Sequence, residues 1–183
     1  MPHTSRRHFV TAVAAALPAL ALPRTSFAAT PAARTLDARA LDFVHTHTGE
    51  TLTVEYARGA TYLPDALATV NHFLRDFRTG DVHPIDQGLL DLLHHLTGLT
   101  ETRRPFQVIS GYRSPKTNAM LRRRSEGVAG RSLHMQGQAI DIRLADVPLA
   151  KLRGAALAAQ RGGVGYYPAS DFVHVDTGRV RRW

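Results

Sequence analysis

Ser132-Leu133-His134-Met135-Gln136-Gly137-Gln138-Ala139-Ile140-Asp141, followed later in the chain by Asp171-Phe172-Val173-His174, is the stretch around which the rest of this sequence organises itself. It offers two imidazoles and a carboxylate to a single metal ion, with a spare carboxylate three residues before the last imidazole. Three protein ligands, a fourth position left for water and a base to take the water's proton are the parts of a zinc hydrolase. His134 and Asp141 are too far apart in sequence to share one helical turn. The spacing instead puts His134 at the end of a loop and Asp141 on a strand, with Gly137 letting the backbone turn closely between them. In Phe172-Val173-His174-Val175-Asp176 the valines point to one face, so alternation turns His174 to the side shared by Phe172 and Asp176. Tetrahedral zinc then takes His134, Asp141 and His174. On spacing alone the plainer alternative, histidines that are exposed or hydrogen-bonded in a core, stands beside this one.

The surrounding sequence reads as one α+β domain, with helices packed on an antiparallel sheet. Leu41 to His45 and Thr51 to Tyr56 alternate around Thr48-Gly49-Glu50, a hairpin pattern. Pro64-Asp65 opens a helix carrying Leu67, Val70, Phe73, Leu74 and Phe77, and a turn around Gly80 and Pro84 leads to a second helix from Gln87 to Leu96. Phe106 to Ser110 is a short strand, Asn118 to Arg124 a helix, Gly127 to Ser132 a loop and Ala139 to Leu144 a strand framing Asp141. Pro148 starts a helix over Leu149 to Gln160. Val164 to Tyr167 and Phe172 to Asp176 close the sheet as an antiparallel pair joined through Pro168. There is no internal repeat and no second domain.

The N-terminus reads as a processing segment. Ser5-Arg6-Arg7-His8-Phe9-Val10 is a twin-arginine pattern, an apolar run spans residues 11–22, and Ser26-Phe27-Ala28 supplies small residues for cleavage after Ala28. The apolar run is shorter than the ~20 residues a membrane span needs, and Pro18 interrupts it. Residues 1–28 therefore read as a twin-arginine signal peptide, with an uncleaved anchor as the alternative, 29–38 as a flexible tail, and 39–183 as the folded domain of a protein exported to the periplasm. No membrane span remains after signal removal. The chain has no cysteine, so no disulfide framework forms and metal ligands must be His, Asp or Glu. Removing residues 1–28 takes away three arginines and no acid, which lowers the net charge from +8 to +5. That excess suits an anionic wall polymer; a soluble basic surface is the simpler account, and nothing points to nucleic acid. Arg122-Arg123-Arg124 reads first as a solvated helix face. Gly162-Gly163-Val164-Gly165 lacks the Lys-Ser/Thr and helix of a phosphate loop.

Ser-x-His-x-x-Gly-x-Ala-x-Asp with a later acid-x-x-His resembles the zinc peptidases that include D-Ala-D-Ala dipeptidases and carboxypeptidases and share the fold of the hedgehog signalling domain. Residues 39–78, Ser110-Gly111-Tyr112-Arg113-Ser114-Pro115, and Val164-Gly165-Tyr166-Tyr167 through His174-Val175-Asp176-Thr177-Gly178 are similar to the MepK-type murein endopeptidases. The resemblance implies zinc (Zn2+) on His134, Asp141 and His174, and hydrolysis of peptidoglycan peptide crosslinks, with the 3-3 link between two diaminopimelate residues as the preferred bond. The partners are then peptidoglycan stem peptides, and a monomer is the default state. Peptidases of the larger group place an acid, usually Glu, three positions before the last histidine. Here it is Asp171, the preferred general base, with Asp176 as its rival for that role or as a partner of His174. Arg113 is expected to hold a substrate carboxylate or the developing oxyanion, and Ser132 to donate to substrate or to Asp141. Tyr112, Tyr166 and Tyr167 are candidates to line the substrate groove, with simple packing as the alternative. A D,D-carboxypeptidase or L,D-peptidase of the same fold, and a wall-binding module that keeps zinc for stability alone, are the competing functions.

Overall fold

The computed structural model describes residues 37–125 and 127–183; the expected signal peptide, and residues 29–36 of the expected tail, lie outside them. Chain order begins with a hairpin, β1 (Ala38–His45) and β2 (Thr51–Arg58), and a short β3 (Thr61–Tyr62). Helix α1 (Pro64–Phe73) follows, with Pro64 in the first turn, where a missing N–H costs nothing. Helix α2 (Gln87–Thr100) is capped by Asp86, whose side chain accepts from the Gly88 N–H at 2.9 Å. It runs one turn past Leu96, because Leu92, Leu93 and Leu96 keep a buried stripe that Thr100 continues.

After β4 (Phe106–Ser110), α3 (Pro115–Arg124) begins earlier than periodicity indicates: Ser114 caps it, accepting from Thr117 N–H, and Pro115 is its first residue. A 3-10 turn (Leu133–Gln136) leads to β5 (Ala139–Arg143), then α4 (Leu149–Ala159), β6 (Gly163–Tyr167), β7 (Phe172–Asp176) and β8 (Arg181–Arg182).

The strands form one sheet in the order β3-β2-β1-β4-β5-β7-β6-β8. The α+β class is as expected, and the sheet is mostly antiparallel. Two of its pairings, β1 with β4 and β6 with β8, are parallel. The first arises because β2 hands the chain to α1 and α2 before β4 returns beside β1, a crossover long enough for parallel pairing. Helices α1 and α2 cover the β1–β2 side and α4 packs on α2, β6 and β7. Phe43, Tyr56, Leu74, Leu89, Leu93, Phe106, Ile140 and Ile142 are fully buried between these layers. Each such aliphatic or aromatic side chain contributes on the order of 1.5–3 kcal/mol by leaving water. On β7, Val173 and Val175 point into this core, which leaves His174 and Asp176 to the opposite face. No helix among the described residues is long and apolar enough to cross a membrane.

One polar group sits inside this core without full pairing. His45 is 1% exposed, wedged against the rings of Phe73, Phe77 and His47. Its Nδ1 accepts from the His47 N–H at 3.2 Å, so the proton is on Nε2, which has no hydrogen-bond partner among the described residues. Burial pushes the imidazole below its ordinary pKa, and His47 and Arg75 add to this while Glu50 opposes it. The unfolded chain protonates His45 near pH ~6.5, the folded chain only at lower pH. In that window the unfolded state binds more protons, so stability is present above it and is lost as pH falls through it. Thermal unfolding of the wild type should therefore weaken more steeply than that of His45→Leu on going from about pH 7 to about pH 5. Parallel curves for the two proteins would remove His45 as the sensing group.

Candidate metal centre

The two strands at the centre of the site are neighbours, and their register sets Asp141 directly opposite His174. Both side chains project from the face away from the helical core. On the other side of β5, Ser110 at the end of β4 pairs with Asp141, which brings the Gly111-Tyr112-Arg113 turn alongside. His134 arrives from the 3-10 turn before β5. That turn ends at Gly137, with φ of 66°, where an added Cβ would lie 2.1 Å from the Pro84 carbonyl oxygen. Only glycine fits, and the close approach lets Gly137 C=O accept from the Asp86 N–H at 3.0 Å. The expected loop–glycine–strand geometry between His134 and Asp141 is thus present, with a short helical turn as the loop.

His134, Asp141 and His174 are 2%, 6% and 9% exposed, and their ligand atoms form a triangle. His134 Nε2 is 3.1 Å from His174 Nδ1 and 3.2 Å from Asp141 Oδ1, and His174 Nδ1 is 2.9 Å from the same oxygen. Bonds of about 2.0–2.1 Å to a tetrahedral zinc ion put neighbouring ligand atoms roughly 3.3 Å apart. The triangle is one face of such a tetrahedron to within a few tenths of an ångström, and the donor set of two imidazoles and a carboxylate fits a divalent ion of borderline softness.

Each imidazole is held by its other nitrogen. His134 Nδ1–H donates to the Gly111 carbonyl at 2.7 Å, leaving Nε2 bare towards the triangle. His174 turns Nε2 to Asp176 Oδ2 at 3.0 Å and Nδ1 to the triangle. Asp176 is itself saturated. Its Oδ1 accepts from Gly163 N–H, Gly178 N–H and Arg181, at 2.9, 2.9 and 3.0 Å, and its Oδ2 also accepts from Arg181 at 2.7 Å. Such outer partners fix the tautomer and raise the basicity of a ligating imidazole.

The electrostatics point the same way. Burial lowers the His134 imidazole. Burial also opposes protonation of His174, but hydrogen bonds to Asp141 and Asp176 outweigh it and push that group up to about 9. Asp141 would be raised by burial, yet the two imidazoles hold it well below the usual carboxylate range. These shifts favour positive charge on His174, which lies between the Asp141 and Asp176 carboxylates. A dication held at the triangle would supply positive charge at the same point and release protons on binding.

Arg113 closes one side. Its Nη2 is 3.4 Å from Asp141 Oδ2 and 3.5 Å from Ser110 Oγ, while its buried Nε has no hydrogen-bond partner among the described residues. The turn that carries it is tied down at every step. Tyr112 N–H donates to Leu74 C=O at 2.8 Å, Arg113 N–H to His134 C=O at 3.1 Å, and Ser114 N–H to the buried Asp76 carboxylate at 2.8 Å. Asp76 gives no signal in the sequence, since the Ser114 N–H that it holds lies far along the chain.

The triangle lies at the floor of an open hollow of about 470 Å³ that Arg113, Ser132, Tyr167, Phe172 and Trp183 help to line. Three expected site residues lie elsewhere. Asp171 adopts a left-handed conformation (φ 52°) at the end of the 3-10 turn Pro168–Ser170, outside the alternation of β7. Its carboxylate, 64% exposed, pairs with Arg143 at 2.8 Å and borders a neighbouring hollow. Tyr112 stacks on His83 with ring centroids 4.8 Å apart. Tyr166 pairs across the ladder with Val173, on the core face, where Arg153 covers its ring. Tyr167, one residue on, shares the face of His174. Alternation counted back from His174 across the β6–β7 pair picks out Tyr167; local sequence alone does not separate the two. Trp183 and Arg181 become visible only once β8 is known to run beside β6.

A metal triangle on the floor of an open groove, backed by an arginine, is an arrangement suited to hydrolysis, and comparison with known proteins gives the class as a peptidase. Residues 33–183 match the family model described as peptidoglycan L,D-endopeptidase MepK, and the chain belongs to that family. It is 51% identical over 137 residues to the peptidoglycan L,D-endopeptidase MepK of Escherichia coli K12, covering 75% of each chain. Against the probable peptidoglycan L,D-endopeptidase MepK of Haemophilus influenzae the identity is 45% over 144 residues, 78% of this chain and 77% of that one.

His174→Ala should abolish metal binding, since it removes one corner of the triangle. Asp176→Asn should lower metal affinity by roughly 10- to 100-fold by releasing the His174 ring while leaving all three ligands in place. Competition against a chromogenic chelator measures both. Wild-type affinity in Asp176→Asn would show that the ring needs no such support.

Proposed function

We propose that this protein is an exported zinc-dependent endopeptidase that cuts peptide crosslinks of peptidoglycan, with the diaminopimelate–diaminopimelate 3-3 link as its preferred bond. The observation that carries the reading is the triangle of His134 Nε2, Asp141 Oδ1 and His174 Nδ1, with edges of 2.9–3.2 Å, open to a groove in a chain of the MepK family. The names of the relatives support the crosslink-cutting activity. The twin-arginine pattern supports export to the periplasm, and a monomer is the working state.

When bound, zinc supplies Lewis acidity towards the scissile carbonyl and a water acidic enough to react near neutral pH. The protein supplies the rest. Arg113, its Nε without a partner in this structure, presents a planar fork to a substrate carboxylate or to the developing oxyanion. Ser132, 7% exposed on the groove wall, offers a hydroxyl for the peptide. Arg113, Arg131 and Arg181 line the groove, and Asp141 is its one carboxylate among the described lining residues, a balance suited to anionic stem peptides.

The two candidate acids divide by their surroundings. Asp176 accepts from five donors, which commits it to holding His174. Asp171 is restrained by Arg143 at the surface, and its neighbours Ser170 and Phe172 line the groove. Rotation away from Arg143 makes it the general base. Asp171→Asn should then lower kcat by about 10²- to 10⁴-fold with zinc affinity intact. A raised KM at unchanged kcat would make it a binding group instead.

Digestion of purified sacculi, with muropeptides analysed by chromatography and mass spectrometry, tests the whole reading. Chelator-sensitive loss of crosslinked dimers is expected, and the masses of the surviving dimers separate 3-3 from 4-3 cutting. Shortened stems with intact dimers would mean a carboxypeptidase; no change with zinc-loaded protein would mean a wall-binding module.

A further inference from the structure

The chain has one tryptophan, and it lies against a candidate metal ligand. The backbone of Trp183 extends the β6–β8 edge: its N–H donates to Val164 C=O at 3.2 Å and its C=O accepts from Tyr166 N–H at 3.1 Å. This lays the indole on Gly165, where an added Cβ would come within 2.7–2.8 Å of three atoms of the ring system. Gly165 is the ladder partner of His174, so the indole covers the His174 imidazole, with ring centroids 5.3 Å apart and planes at 49°.

Two further contacts fix the indole. Its Nε1–H donates to the Tyr167 hydroxyl at 2.7 Å. The Arg181 guanidinium, which clamps Asp176, sits 4.9 Å from the ring centroid. His174 is therefore braced by Asp176 at its ring edge and by Trp183 beside its ring. Trp183 remains 48% exposed and forms part of the groove wall, an unusual degree of fixation for a half-exposed side chain.

We propose that Trp183, given room by Gly165 and tethered by Tyr167, is a positioning residue of the metal centre that sets the tilt of the His174 imidazole. The proposal rests on the metal reading of the preceding section. A ring free to swing about χ1 and χ2 presents Nδ1 to the ion only part of the time, and ordering it on binding costs affinity. With both braces in place that ordering is done before the ion arrives.

Because no other tryptophan contributes, intrinsic fluorescence reads the site directly. Titration of wild-type protein with Zn2+ should change the emission with the same midpoint that chelator competition gives, and Co2+ should quench it. Trp183→Ala should bind Zn2+ about 3- to 10-fold more weakly, Trp183→Phe should recover most of the loss, and Gly165→Ala should weaken binding by displacing an intact indole. Far-UV circular dichroism checks that each variant is folded. If Trp183→Ala fails to fold, Tyr167→Phe, which removes only the phenolic oxygen that anchors the indole, carries the test, with weaker Zn2+ binding expected. Folded variants with wild-type affinity, or wild-type emission indifferent to a metal that demonstrably binds, would overturn the proposal. A wild-type protein that binds no Zn2+ at all would overturn the metal reading along with it.

Discussion

Asp141 and His174 face each other across the β5–β7 ladder, and the rest of the site depends on that pairing. Register in a half-buried sheet is not negotiable: a slip of one residue would carry Asp141 and His174 into the helical core and bring Ile142 and Val173 out. The fully buried Ile140, Ile142, Val173 and Val175 therefore specify the metal triangle as firmly as the ligands themselves do. The hydrophobic face of the two strands sets the register, and the register delivers two of the three ligands without any loop having to be ordered for the purpose.

The third ligand depends on a different constraint. His134 is on a 3-10 turn, which has little rigidity of its own, and its position is borrowed from neighbours. Gly111 C=O holds its Nδ1, the Arg113 N–H holds its carbonyl, and Gly137 closes the turn against the Pro84 carbonyl. Those neighbours are anchored to Leu74 and Asp76, just past the end of α1. The N-terminal half of the chain thus contributes no proposed ligand, yet the residues just past its first helix fix the turn on which His134 and Arg113 both rely. A substitution at Asp76 would leave the buried Ser114 N–H, next to Arg113, without its acceptor.

This division explains what the sequence discloses. The His134, Asp141 and His174 cluster, the hairpin, α2, β5 and the β6–β7 pair are legible because they rest on local periodicity and on a motif whose chemistry requires particular residue types. Arg113 is legible through its motif. Asp76, Arg181 and Trp183 are not, because each acts through partners that only tertiary pairing supplies. Asp171 is the instructive case. Its offset from His174 places it in the acid-x-x-His pattern, but a left-handed residue ahead of β7 and the attraction of Arg143 decide where its carboxylate rests. Tyr166 and Tyr167 show the same lesson at single-residue scale. Adjacent and identical in type, they part company at the sheet, one to the core and one to the groove.

Electrostatically the centre is expensive to build. Asp141 and Asp176 are both taken out of water, and isolated buried charges of one sign strain a fold unless they are paired. Arg113 and Arg181 supply the compensation at 3.4 Å and 2.7 Å. The ligand atoms His134 Nε2, Asp141 Oδ1 and His174 Nδ1 then converge on one point. A dication that binds there would bind only the folded chain, and would stabilise the fold in proportion to the logarithm of its concentration over its dissociation constant. An ion held there would also be a structural element of the β5–β7 face. Arg113 sits beside the triangle and offsets Asp141 from the groove side, with Nη2 3.4 Å from Asp141 Oδ2.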